Sequence, residues 1–314
     1  MLLCASAAVS TASAQDYPAK PVRILVGFPP SGATDLIARI LQPALAQAFQ
    51  REIVVENRPG ASGVLAADLT AKAAPDGYTL NLVSHSALVV SPAMASVPYD
   101  PLGDFTPIAR IAELPNVIMA RAAVPAQDLR QLVDLAKANP GSISYGSPGP
   151  GSAGHLTGEF FARTAGIQLM HVPYRGGGPA MTDFLSGQID LFVGVVSTAV
   201  PYVQQGRARA LAVSGTKRAA PLPEVPTVAE SGWPEFEATT WYAMIGPARL
   251  PRPVVERWHK ELASALAVPE VRKALVERGF EPAPSAPAEF AAYLRAETAK
   301  WAPVVKNLRL QTSN

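Results

Sequence analysis

Cysteine is nearly absent from this sequence. One residue of 314 is a cysteine, Cys4, and it lies in a leading segment expected to be cleaved. Disulfides, thiolate metal sites and cysteine nucleophiles are therefore not expected in the mature chain. Histidine is scarce too, at four. His85, His155, His171 and His259 form no H-x-x-x-H pair and have no carboxylate cluster behind them, so a metal centre is not expected. His259 falls on a charged helix and reads as solvated. Neither sign of charge dominates: 27 Lys and Arg against 25 Asp and Glu leave a formal +2. There is no basic stripe to track nucleic acid. Beyond the leading segment no apolar run approaches the roughly 18 residues of a membrane span. The phosphate loop G-x-x-x-x-G-K-[ST] and the nucleophile elbow G-x-S-x-G are both missing. No pair of carboxylates is placed for general acid–base work.

What is present points to an exported α/β protein. The small-residue run at the start ends in Ala12-Ser13-Ala14, an A-x-A cleavage pattern. Residues 1–14 are expected to be a signal peptide and Gln15 the first mature residue. The usual positive start is missing, so the segment is expected either to start further upstream or to be clipped; a disordered tail is the alternative reading. Apolar residues, at 48%, suffice for a large core, and the 31 prolines form no low-complexity tract and read mostly as punctuation at element ends. Strand patterns at 22–27, 52–56, 79–83, 106–112, 116–121, 143–146, 169–172, 189–194, 209–213 and 240–246 alternate with helical ones. The helical patterns fall at 34–49, 62–74, 128–138, 153–165, 177–187, 197–205, 251–267, 269–278 and 286–307. This order predicts α/β architecture with mainly parallel sheets. Leu36, Ile37, Ile40, Leu41, Ala44 and Leu45 share one helical face, as do Phe290, Leu294, Trp301, Val304 and Val305; both stripes read as core.

Residues 115–125 and 238–247 read as bridging strands. Crossing to a second lobe near 119 and returning near 241 gives lobes of ordinary domain size. One lobe is residues 15–118 with 242–314, the other residues 119–241, with a cleft between them and a hinge of two strands. Ligands of open α/β sheets sit beyond the carboxyl ends of the strands. Four strand-to-helix loops are poor in large side chains: "FPPSGATD" (28–35), "SHSAL" (84–88), "GSPGPGSAGH" (146–155) and "PYRGGGP" (173–179). A helix start carries unpaired N–H groups and about half a positive charge, and a bare loop lets an anion reach them. The pattern therefore predicts an anion gripped from both sides, mainly by backbone. Read as plain turns, the same loops would use Thr34 and Ser152 as N-caps. Arg175, the one arginine or lysine in these loops, reads as a rim or helix-end residue rather than a ligand clamp. Gly149 to Gly154 match G-x-G-x-x-G, but the next strand, "LMHVPY", ends without the acidic residue a dinucleotide ribose needs. His155 could face the cleft or pack in the core, and Glu159 one turn on is placed to orient its ring. Asp35, in a first helical turn, is expected to fix its loop by accepting hydrogen bonds, without touching a bound anion's carboxylate.

The segments "VGFPPSGATDLIAR", "VENRPGASGVLAA", "AAPDGYTL", "DFTPIARI", "YGSPGPGSAGHLTGEFF", "VPYRGGGPAMTDFLSGQIDL" and "LAVSGTKRAAPLPEVPTVAESG" follow in order. In them the chain resembles the Bug family of extracytoplasmic solute receptors, the substrate-binding proteins of tripartite tricarboxylate transporters. The likeness runs from about Tyr17 to Leu308. It implies a two-lobed type II periplasmic binding-protein fold with the ligand cleft between lobes, a periplasmic location, no catalysis and no cofactor. The implied ligand is a small carboxylate: a mono-, di- or tricarboxylate such as citrate, an acidic amino acid, or an aromatic acid such as nicotinate. The implied partners are membrane transporter subunits or a sensor, with the receptor a monomer. Family members hold one carboxylate with the first two loops of the first lobe, through backbone N–H groups, hydroxyls and ordered waters. Carried over, these are Phe28, Pro30, Ser31, Gly32, Ala33, Thr34 and Asp35 with Ser84, His85, Ser86 and Ala87. The second lobe is implied to add Ser147, Gly149, Gly151, Ser152 and His155, with Tyr174 and Asp190 nearby. The family commonly has "PPGG" where this chain has Pro29-Pro30-Ser31-Gly32, so Ser31 puts a Cβ where glycine would take left-handed backbone cheaply. An exported α/β hydrolase is the competing class, and the missing elbow, cysteine and metal cluster argue against it.

Overall fold

The computed structural model describes residues 17–307 except Arg175. The expected signal peptide, Cys4 and the rim position of Arg175 lie outside the described residues. The chain opens with β1 (Val22–Val26), α1 (Ala33–Phe49), β2 (Ile53–Asn57), α2 (Val64–Ala71) and β3 (Thr79–Ser84). A π-helical turn (Ser86–Val90) and α3 (Ser91–Met94) lead to the long strand β4 (Phe105–Ala120). There follow α4 (Leu129–Ala138), β5 (Ser144–Ser147), α5 (Ala153–Ala165), β6 (Met170–Pro173), α6 (Gly177–Ser186), β7 (Leu191–Val195), α7 (Val196–Gln204) and β8 (Arg209–Val213). β9 (Thr239–Pro247) then leads to α8 (Arg252–Ala267), α9 (Pro269–Val276), the short β10 (Glu281–Pro282) and α10 (Pro287–Asn307).

The strands expected at 106–112 and 116–121 are one strand. β4 pairs with β9 as far as Pro115, then with β7 and β8 from Asn116 and Val117 onward. Pro115 sits where the strand exchanges partners. The sheets are also mixed rather than mainly parallel. β1 pairs in parallel with β2 and β3, and β5 with β6 and β7, but every pairing of β4 and β9 is antiparallel. A chain that leaves one sheet on β4 and returns on β9 must run back beside its outgoing strand.

These pairings fix where the loops lie. β3 and β4 are both antiparallel to β9, so β1, β2 and β3 run in the direction of β4, toward the second sheet. β7 opposes β4, and β5 and β6 follow β7, so these run back toward the first sheet. β3 ends at Ser84, opposite Tyr242, which pairs with Ala112; β7 ends at Val195, opposite Asn116. The carboxyl ends of both parallel groups therefore meet around residues 112–116 of β4, where ligands of such sheets sit.

Apolar packing holds each side. Ile37, Leu41, Leu45 and Phe49 of α1 are buried with Val22, Ile24 and Val26 of β1 and with Trp258 of α8. Leu36, Ile40 and Ala44 are only half-buried and form the shoulder of that stripe. Phe290, Leu294, Trp301, Val304 and Val305 of α10 are buried as their spacing predicts.

Candidate functional site

The first loop is built by close approach of backbones. An added Cβ at Gly27 would lie 2.5 Å from Gly63 Cα, so the chain leaving β1 can touch the turn before α2 only as glycine. The half-buried ring of Phe28 lies beside Gly63, while Pro30 and Ser31 are exposed. That turn holds Ala61 at φ +44° and Ser62 at φ +56°, and Ser31 stands at φ +67°. Left-handed backbone at non-glycine residues costs about 1–3 kcal/mol each and persists only where its surroundings impose it. For Gly27→Ala we expect a loss of about 1–3 kcal/mol of stability from backbone overpacking, read by urea unfolding; unchanged stability would mean the two loops need not touch.

Asp35 is the imposing group. It is buried, and accepts the Ser31 N–H at 2.9 Å, Arg39 Nε at 2.9 Å and Asn57 Nδ2 at 2.9 Å. Asn57 also donates to Phe28 O at 3.0 Å, closing the loop onto the end of β2. Burial alone would raise the carboxyl pKa. The bonds from Arg39, Asn57 and Ser31, with the Arg39 charge, outweigh burial and hold it below the usual carboxylate range. The N-cap of α1 is Gly32, not Thr34, and no side chain caps it. The first intrahelical bond runs from Leu36 N–H to Gly32 O, so the amides of Ala33, Thr34 and Asp35 have no acceptor within the helix.

The loop after β3 is not a bare loop. Ser86–Val90 forms a π-helical turn, with Ala87, Leu88, Val89 and Val90 buried and Ser86 half-buried. Ser84 is buried at the end of β3. His85 turns inward: its ring lies 5.5 Å from both Trp241 and Trp301 and is buried. Burial, and then the Lys300 charge, push its pKa down to about 3, so the ring is neutral.

On the facing side the loop after β5 satisfies itself. Ser152 caps α5 by accepting the His155 N–H at 3.2 Å, as its cap reading predicts. His155 is buried and accepts the Gly151 N–H on Nδ1 at 3.0 Å. Its ring stacks on His171 at 4.0 Å. Burial, and then His171, lower its pKa to about 4, which keeps Nδ1 free to accept. Glu159 does not orient this ring; it accepts the Tyr145 hydroxyl at 2.6 Å. Ser147 is fully buried, with Oγ 2.7 Å from His171 Nε2 and 3.2 Å from the Gly149 N–H. Gly149 and Gly151 both have positive φ.

Two expected residues stand apart. Asp190 precedes β7, and the register places it at the opposite end of the sheet from these loops, beside Ser144. There it accepts Ser144 N–H and Oγ and pairs with Arg121 at 2.8 Å. Despite burial, those bonds hold its pKa below the usual range. Tyr174 follows β6 at the right end of the sheet, but its hydroxyl donates to Asp183 at 2.8 Å. Burial, and then that bond, raise its pKa to about 12.

The segments after β3 and β5 approach each other. An added Cβ at Gly151 would lie 3.5 Å from Met94 Sδ, so the loop after β5 faces the end of α3. A cavity of about 10 Å3 between His85, Asn116, Ala153, Leu156, Thr157 and Trp301 marks the floor where the two sides meet. The sequence reading missed Arg39, Asn57, the 60–63 turn, His171 and Met94. Arg39 alone carried a local signal, its i+4 spacing from Asp35.

Two α/β sheets sharing one strand, a second strand returning the chain, and facing loops at the junction define a solute-binding protein. The profile described as "Tripartite tricarboxylate transporter family receptor" (TctC) matches residues 37–310, and the chain belongs to that family, whose members are periplasmic substrate-binding receptors and not enzymes. BugT of Bordetella pertussis is 35% identical over 94% of this chain and 91% of its own length. A protein of R. palustris solved with adipate is 32% identical, covers 93% of this chain and 98% of its own, and superposes with a TM-score of 0.73. MatC from Rhodopseudomonas palustris with bound malate is 29% identical over 92% of this chain and all (100%) of its own, at 0.69. A TctC solute-binding protein from Polaromonas with no ligand is 25% identical over 93% of this chain and 99% of its own, at 0.86.

Proposed function

We propose that this protein captures a small organic carboxylate in the periplasm and delivers it to a tripartite tricarboxylate-type transporter. The observation that carries the reading is the uncapped start of α1, whose amides at Ala33, Thr34 and Asp35 have no acceptor within the helix. A carboxylate is the natural guest of such a helix start. Asp35 does not repel it strongly, because its charge is engaged by Arg39, Asn57 and the Ser31 amide. In this reading residues 15–118 with 242–314 form one lobe and residues 119–241 the other. The lobes hinge on β4 and β9. The loop from Gly149 to Ser152 then supplies the opposing jaw.

The test is a thermal-shift and calorimetric panel of malate, adipate, citrate, glutamate and nicotinate against neutral sugars. A cognate acid at 100 times its dissociation constant stabilises the fold by about 2.7 kcal/mol. Tight binding of a sugar with none of the acids would overturn the reading. The higher TM-score to the unliganded Polaromonas protein, against the order of sequence identity, supports an open arrangement of the lobes. Small-angle scattering should therefore show a smaller radius of gyration once the cognate acid is bound. An unchanged radius with binding confirmed counts against hinge closure. Uptake of the acid by cells lacking the receptor separates delivery from sensing.

A further inference from the structure

Glu297 lies on α10, on the helix whose apolar stripe reads only as core. Its carboxylate is buried, and one oxygen, Oε2, accepts N–H groups from two elements and lies near a third. Trp241 Nε1 of β9 donates to it at 3.1 Å, Trp301 Nε1 of α10 donates at 3.0 Å, and His85 Nε2 of the loop after β3 lies 3.5 Å away. The other oxygen, Oε1, pairs with Lys300, which in turn donates to Glu237 O at 3.1 Å, just before β9. His85 Nε2 is enclosed and makes no hydrogen bond among the described residues, so the ring is held by packing against the two indoles that Glu297 anchors.

We infer that Glu297 is a positioning residue that ties the loop at residues 84–87 to the returning strand β9 without itself facing the cleft. Ser84, Ser86 and Ala87 flank His85, so the ring's place between the two tryptophans sets where their backbone stands. Trp241 belongs to the strand that leads back from the second sheet, so one oxygen links that strand to a cleft loop. An oxygen acceptor does this work, not the charge: the two donors at Oε2 are neutral indoles, and the His85 ring packed against them is neutral too. Glutamine can supply such an oxygen, whereas methionine fills the same space without it. That contrast separates positioning from packing.

Only the consequence for affinity rests on the proposed function; the ordering of the loop can be read with no ligand present. Amide hydrogen exchange is measured on the full protein for wild type, Glu297→Gln, Glu297→Met and His85→Phe. Glu297→Met should speed exchange at residues 84–90 by about tenfold or more, the scale of leaving a buried indole N–H without an acceptor, with β1 and β2 unchanged. Glu297→Gln, which gives up the Lys300 pair but keeps an oxygen for both indoles, should exchange clearly more slowly than Glu297→Met. His85→Phe, which leaves Glu297 and both indoles in place, should loosen the same amides. It also carries the test if the methionine variant does not fold. Equal exchange in the Gln and Met variants, or unchanged exchange at residues 84–90 in His85→Phe, overturns the inference.

Discussion

Asp35→Ala is expected to weaken carboxylate binding by about ten- to a hundredfold, the cost of losing hydrogen bonds to a charged group. The carboxylate holds the Ser31 amide, and with it a serine at φ +67°, beside the start of α1. Without it the loop relaxes out of a left-handed conformation, and the α1 amides are no longer framed for a guest. That relaxation recovers part of the roughly 1–3 kcal/mol stored at Ser31, and the half-exposed Arg39 finds water. Global stability therefore falls less than affinity does. Asp35→Asn keeps an acceptor for Ser31 but loses the ion pair to Arg39, and a loss nearer tenfold is expected. Calorimetry with the cognate acid, paired with urea unfolding, reads both quantities. If Asp35→Ala binds acids more tightly, the carboxylate was only a repulsive neighbour. Because the folded pKa lies below 3.8, the contribution of Asp35 to stability is present above that value and is lost as pH falls through the lower folded one.

The part of this arrangement carried by local patterns was legible in the sequence. Ser152 as the cap of α5, the buried faces of α1 and α10, and Asp35 as a loop anchor each rest on contacts within a few residues or on helical period. What stayed hidden depends on partners distant in sequence. Asn57 reaches Asp35 across 22 residues, and Trp241 reaches Glu297 across 56. The helical stretch after β3 was missed because it is short and mostly apolar, with Ser86 and Ser91 its polar side chains, so no amphipathic period marks it. Asp190 looked like a site residue, but it stands at the wrong end of its strand. A pattern of strand, loop and helix shows which loops are bare; only the register shows which edge they share.

The other large effect is expected at Glu113, on the stretch of β4 that leads to the partner exchange. It lies directly opposite Glu281 across the β4–β10 pairing, and it is 9% exposed. Burial raises its pKa to about 7; Glu237 and Glu281 push the same way, and Arg110 and Lys217 offset them only in part. A carboxyl that binds its proton more tightly in the folded chain than in the unfolded one stabilises the fold at low pH. That contribution begins to decline as pH passes the unfolded value of 4.5, and it is gone above the folded value near 7. At pH 8 the ionised side chain is thus a liability, and Glu113→Gln should stabilise the protein by about 2–3 kcal/mol. Near pH 4 the two proteins should unfold at nearly the same urea concentration. Arg110 is not stranded by the change, since its guanidinium also lies 4.4 Å from the centre of the Tyr293 ring. Urea unfolding of both proteins from pH 4 to 8 tests this. A difference that is constant across the range, or a glutamine variant less stable at pH 8, would show that Glu113 stays ionised and that its pairing with Arg110 and Lys217 outweighs its burial opposite Glu281.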